Sequence, residues 1–337
     1  MRTSVDRPGL RVGLLLGARI PPNELRRIAA RAENLGYDSL WCAEDYFFSS
    51  GLASAATALA ATDHVPVGTG LVSVLVRHPA ILAMDASTIA RIYPDRFRLG
   101  VGLGGPEFMR QIGRWPKSPL TAMHDSISAI RELLTGNEIT MDNPVFSAER
   151  VRLRLEDDVS QRIPIYAGAC APRMLRLTGA LADGNILPFL SSPQFLEWAC
   201  AEIAAETPQG ASAKHHPVVA YAFFSVDSDG KRARDRIRSI FAWTLGESIQ
   251  IESLFKAYGI ATELKELAAA GVEAIEREMP EQWLDDLTVV GDPDECASKL
   301  MRFYDAGADE VVLYPMPETI STEVMEMAAR EVLPRLR

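Results

Sequence analysis

The chain has 337 residues, 47% of them hydrophobic, and a formal net charge of -10. An acidic chain lacks the basic patch expected of nucleic-acid or anionic-membrane binders, and no stretch nears the ~18 apolar residues of a membrane helix. Cys42, Cys170, Cys200 and Cys296 are scattered without a C-x-x-C pair, which argues against a zinc site and a disulfide framework and suits a reducing cytoplasm.

LRVGLLLG (Leu10–Gly17) reads as a buried strand. PPNELRRIAARAENLGY follows as a helix that Asn23 can cap and Gly36 stops, with Leu25, Ile28, Ala29, Ala32 and Leu35 at helical spacing. DSLWCAE (Asp38–Glu44) is a second strand and ASAATALAATD a small-residue helix. VPVGTGLVSVLV reads as the third strand, HPAILAMDASTIARIY as its helix, DRFRLGVGLGG as the fourth strand, and SPLTAMHDSISAIRELLTG as an amphipathic helix ended by Gly136. Residues 137–162 break the rhythm and suggest a surface hairpin, Val151, Leu153 and Leu155 alternating with Arg152, Arg154 and Glu156 as on a half-buried strand. IPIYAG, DGNILPF, HPVVAYAFFSV and DEVVLYP complete the strands, and a long, mostly helical stretch runs from Lys231 to about Leu287. Apolar strands alternating with helices, and no visible linker, indicate one α/β domain over 1–337: a (β/α)8 TIM barrel with insertions after helix four and before strand eight.

Barrel enzymes place their chemistry at the C-terminal strand ends. After strand two come Glu44, Asp45, Tyr46 and Phe47, which either position and protonate a ligand or form a capped loop with core aromatics. Gly68 and Gly70 inside strand three mark a bulge or a close backbone approach. Gly100, Gly102, Gly104 and Gly105 make a Gly-rich turn after strand four without the dinucleotide fingerprint, and Glu107 beyond it is a candidate acid or base. After strand five, YAGACAPRMLRLTGALADG (Tyr166–Gly184) puts small residues before a helix with Pro172 at its first position. That junction is either a tight packing turn or a cradle whose open N–H groups receive an anion, with Arg173 or Arg176 adding charge. No Walker A, G-x-S-x-G, H-E-x-x-H or Cys/His cluster occurs, so hydrolytic and metal chemistry have no support and a borrowed cofactor is favoured.

Taken in order, LWCAEDYFF, VGTGLVSVLVRHPAILA, DRFRLGVGLGG and IPIYAGACAPRMLRLTGALADGNIL resemble the bacterial-luciferase-like superfamily of flavin- and deazaflavin-dependent oxidoreductases, above all its methylenetetrahydromethanopterin reductase branch. The resemblance implies coenzyme F420, or alternatively FMN, at the barrel mouth. It implies a non-prolyl cis peptide near Gly70–Leu71 behind the ring, strand-end contacts at Gly102 and Gly104, and cofactor phosphate near Gly168 and Ala169. Several F420 enzymes carry a histidine where this chain has Asp45, and a catalytic glutamate after strand four in some relatives falls near Glu107; Asp45 and Glu107 are the catalytic candidates here. The expected activity is hydride transfer between reduced F420 and a small organic substrate. The alternatives are an FMN-dependent monooxygenase and a flavin-binding protein without turnover. A homodimer is implied by the resemblance alone. Trp115, Trp243 and Trp283 are candidates for lining an apolar substrate pocket.

Overall fold

The structure, a computed structural model, describes residues 9–155, 159, 162–207 and 215–337. The chain opens with parallel strands β1 (Arg11–Leu16), β2 (Ser39–Cys42), β3 (Val67–Thr69) with its short continuation β4 (Val72–Ser73), and β5 (Phe97–Gly102). An antiparallel hairpin, β6 (Ile139–Asp142) and β7 (Ser147–Val151), interrupts the series. The series resumes with β8 (Ile165–Gly168), β9 (Gly184–Leu187), β10 (Val218–Val226), the three-residue β11 (Val289–Gly291) and β12 (Glu310–Pro315). Pairing runs β1–β2–β3–β5–β8–β9–β10–β12 and returns to β1, so eight parallel strands close into the expected barrel. Leu14 pairs with both Leu40 and Leu313 across the seam.

The strands read as nearly unbroken apolar runs because one face fills the barrel and the other meets helices; all nine residues of β10 are buried. The surrounding helices begin on repeated local signals. Pro79, Pro119, Pro172, Pro193 and Pro293 stand in a first turn, where the missing N–H costs nothing. Ser118 and Ser192 cap with their hydroxyls, and Asp292 forms a capping box with Glu295. No described helix is long and apolar enough to cross a membrane.

Four sequence expectations change. The first helix is Leu25–Asn34 with Glu24 at its cap and no side-chain cap bond, so Asn23 does not cap it. Strand three, by contrast, follows the expectation: it breaks between Thr69 and Val72, where the Gly70–Leu71 peptide is cis. The alternation of Val151, Leu153 and Leu155 persists in burial, but strand pairing ends at Val151; residues 156–158 lie outside the described residues. The second insertion contains five helices between Gly230 and Leu287 and ends in β11, which pairs with Phe224–Val226; three residues are too few to announce a strand. Trp283 sits in the core of this insertion and Trp243 faces solvent, so neither lines a shared pocket with Trp115.

The N-terminal floor of the barrel is closed by Glu310, the first residue of β12, which is fully buried. One carboxylate oxygen accepts from Trp41 Nε1 at 2.7 Å and from Ser39 Oγ; the other meets Arg98 at 3.1 Å and Arg11 at 3.2 Å. Burial pushes this carboxyl up, but Arg98, Arg11, Ser39 and Trp41 outweigh it and hold it below the ordinary glutamate value. Above the floor, Leu15, Trp41, Tyr166, Ile186, Val219, Tyr221 and Val312 fill the interior.

Candidate functional site

At the C-terminal mouth the loop after β2 presents two adjacent carboxylates in opposite circumstances. Glu44 is buried and grips Arg77 in a bidentate pair, both bonds 2.6 Å. It also accepts from Tyr46 Oη at 2.8 Å and from the Gly51 amide at 3.0 Å. Its burial raises the carboxyl, Arg77 and these donors overcome that, and the net direction is downward. Glu44 is therefore a charged structural clamp joining the ends of strands two and three.

Asp45, the next residue, is instead exposed at this end of the barrel. The protein mass around it pushes its carboxyl above the ordinary aspartate value; Arg19 opposes this, while Glu318 and Glu44 add to it. Neighbouring carboxyls driven apart in this way are suited to one fixed charge and one proton carrier. Arg19 itself lies 4.2 Å from the Phe48 ring centroid.

Glu107 is exposed in the first turn of the short helix Pro106–Gln111. Its neighbour Phe108 packs against Tyr46 and Phe47 at 6.4 and 6.3 Å between ring centroids. The loops carrying Asp45 and Glu107 thus meet at one side of the mouth. The Tyr46–Phe47 peptide is also cis.

Between these loops lies the break in strand three. A Cβ on Gly70 would come 2.0 Å from the Tyr221 hydroxyl, which reaches across from β10 and has no hydrogen-bond partner among the described residues. Leu71 beside it is partly buried against the interior cluster. A Cβ on Gly102 or Gly168 would come 2.8 or 2.3 Å from Leu71 Cδ1. Gly104 has φ +80°, a conformation that favours glycine, and Ser73 Oγ donates to the Leu103 carbonyl at 2.8 Å beside it.

At the junction after β8, the Ala169 amide donates to the Ile186 carbonyl at 3.3 Å and the Cys170 carbonyl accepts from Ser253 Oγ at 2.7 Å. The helix Pro172–Leu181 has no side-chain cap, which leaves its first-turn N–H groups open. Arg176 turns outward to Glu202 at 2.6 Å. Burial pushes the Cys170 thiol up to about 11, so it is no nucleophile.

The opposite side of the mouth is aromatic. Phe189, just beyond β9, stacks on Phe223 at 4.7 Å and lies 5.8 Å from Tyr314 and 5.6 Å from Tyr221. Sequence reading missed this wall. The inward alternation Val219, Tyr221, Phe223 within HPVVAYAFFSV was the signal that would have found half of it.

The mouth is thus polar and ionisable along strands two to four and aromatic along strands six to eight. A flat ring with a polar edge fits such a site. The luciferase-like monooxygenase family model matches residues 7–310. The chain is 30% identical over 302 residues to a 5,10-methylenetetrahydromethanopterin reductase of Methanolobus tindarius, covering 87% of this chain and 90% of that one. It is 27% identical over 341 residues to an F420-dependent glucose-6-phosphate dehydrogenase of Microbacterium testaceum, covering 94% of each. The solved coenzyme F420-dependent tetrahydromethanopterin reductase of Methanopyrus kandleri has a TM-score of 0.82 at 21% identity, covering 98% of this chain and 100% of that one. At that identity the structural likeness speaks for the fold.

Proposed function

The chain belongs to the luciferase-like monooxygenase family, and we propose that it is an oxidoreductase using coenzyme F420 to reduce or oxidise a small organic substrate. The observation that carries the reading is the division of labour between Glu44, fixed by Arg77, and Asp45, raised and exposed. The F420-dependent glucose-6-phosphate dehydrogenase named above supports the cofactor assignment.

In this reading the Gly70–Leu71 segment would hold one face of the ring, and Phe189 and Tyr314, 5.8 Å apart, would line the far side. The strand ends at Gly102, Gly104, Gly168 and Ala169 would line the cofactor's path, and the uncapped start of the helix Pro172–Leu181 would receive its phosphate. When bound, the deazaflavin supplies the hydride chemistry. Asp45 holds a proton at its carboxyl and exchanges it with the substrate atom next to the reacting carbon. Glu107, on the adjoining loop, is the second proton-transfer candidate. The aromatic wall excludes water from that face.

Titration of the purified protein with F420 and with FMN, followed by ligand fluorescence, tests the proposal. Micromolar binding of F420 alone is the expected result. Binding of FMN alone would move the protein to flavin-dependent oxygenation, and binding of neither would overturn the reading.

A further inference from the structure

Two of the strand-end glycines look, in sequence, like residues left bare for a ligand. Their surroundings in the fold indicate a different use. At Gly168 the three atoms nearest to an added Cβ are all from Leu71: Cδ1 at 2.3 Å, Cγ at 3.4 Å and Cδ2 at 3.5 Å. At Gly102 they are again all from Leu71: Cδ1 at 2.8 Å, Cβ at 3.5 Å and Cγ at 3.7 Å. One leucine side chain thus fills the space that two missing side chains leave on the neighbouring strands β5 and β8.

The backbone on either side of Leu71 has little freedom to follow a displaced side chain. The Gly70 amide donates to the Cys42 carbonyl at 2.8 Å, and Gly70 rests against the Tyr221 hydroxyl. On the other side Val72 pairs with Val101 and Ser73 with Gly102. Thr69 is tied to Gly100 through its hydroxyl, which donates to the Gly100 carbonyl and accepts from the Gly100 amide at 2.8 and 2.9 Å. Interiors are close-packed, so a methyl group added to the notch must push Leu71 elsewhere. The side chain is only partly buried, and the two glycines it rests on are the last residues of β5 and β8, at the mouth end of the barrel.

We propose that Gly102 and Gly168 are positioning residues that seat Leu71, and that this seat sets how far Leu71 projects into the space taken by the cofactor ring. The proposal rests on the F420 reading above. It assigns Gly168 to the ring end of the cofactor through Leu71, not to the phosphate end by direct contact.

The test is a double-mutant cycle on Gly168→Ala and Leu71→Ala, with wild type and the double variant. Each protein is titrated with F420 and with 8-hydroxy-5-deazariboflavin, the phosphate-free ring portion of F420, and its melting temperature is recorded. Gly168→Ala is expected to weaken both ligands equally, on the order of tenfold, about 1.4 kcal/mol of binding. In the Leu71→Ala background the same substitution is expected to change neither ligand more than about twofold. Gly102→Ala, with the wider gap to Leu71, is expected to act in the same direction more mildly, and it serves should Gly168→Ala fail to fold.

Weakening of F420 with unchanged binding of the phosphate-free ring would overturn the proposal and return Gly168 to the phosphate. So would a Gly168→Ala effect that persists undiminished alongside Leu71→Ala, or a lowered melting temperature with both affinities intact. If wild type binds neither ligand, the F420 reading itself fails and takes the notch with it. Failure of the notch alone requires wild-type binding to be normal.

Discussion

The two ends of the barrel each bury a glutamate against arginine, two at the floor and one at the mouth, and they use it differently. At the floor, the two oxygens of Glu310 take Ser39, Trp41, Arg98 and Arg11, and the adjacent carboxyl, Asp309, is itself buried and accepts from the Val218 amide at 2.9 Å. At the mouth, Glu44 is satisfied just as fully by Arg77, Tyr46 and Gly51, but the next residue is Asp45, accessible and raised above its ordinary value. A closed network of this kind holds strands together and has no proton to give. The mouth has the same clamp and, beside it, a carboxyl whose protonation state a ligand can use. Burial of charge in itself therefore does not mark a site, and the proposed one rests on the carboxyl left outside the clamp.

This contrast is open to direct attack. The largest expected effect is at the floor: Glu310→Gln leaves Arg98 and Arg11 without their counter-charge and should cost about 3–5 kcal/mol in urea unfolding. Next is Arg77→Met, expected to cost about 3 kcal/mol by stranding the buried Glu44 carboxylate. Because the folded value of Glu44 is depressed, its contribution to stability is present above the ordinary carboxylate value and lost as pH falls through the folded one. Arg77→Met should flatten that acid limb, and an unchanged limb would remove Glu44 from the clamp.

Asp45→Ala should lower turnover by about 100-fold, roughly 2.7 kcal/mol of barrier, with little change in unfolding free energy. Its raised carboxyl fixes the sign of the pH dependence. If Asp45 is the acid for substrate reduction, turnover is flat below the raised value and falls as pH rises through it, and the variant loses that limb. The smallest effect is expected at Tyr221. Tyr221→Phe removes a buried hydroxyl that has no partner among the described residues, so stability should rise or hold, by up to about 1 kcal/mol. A loss of several kcal/mol would mean that the hydroxyl is satisfied in solution.

Much of the barrel was legible because strands covered on both faces must be apolar runs, and LRVGLLLG and HPVVAYAFFSV are such runs. What escaped was local. VVG at 289–291 is too short to carry a period, and the cis peptide at Gly70–Leu71 came from family resemblance, since Gly68 and Gly70 by themselves marked only a bulge or a close approach. In the site, Glu44 and Asp45 were visible as a pair, but not which of them is free. That depends on Arg77, 33 positions away in the chain. Gly102 and Gly168 were visible as bare positions, but the occupant of the space beside them, Leu71, lies on another strand. The aromatic wall is assembled from three strand ends that sequence treats as unrelated.

The central claim is that the floor holds the barrel while the mouth binds the cofactor. Its most direct test is an F420 titration of wild type and Glu310→Gln side by side, under conditions where circular dichroism shows both folded. The account predicts micromolar binding by each, with dissociation constants within about twofold despite the loss of stability. Failure of wild type to bind, or a tenfold weakening in the floor variant, would contradict it.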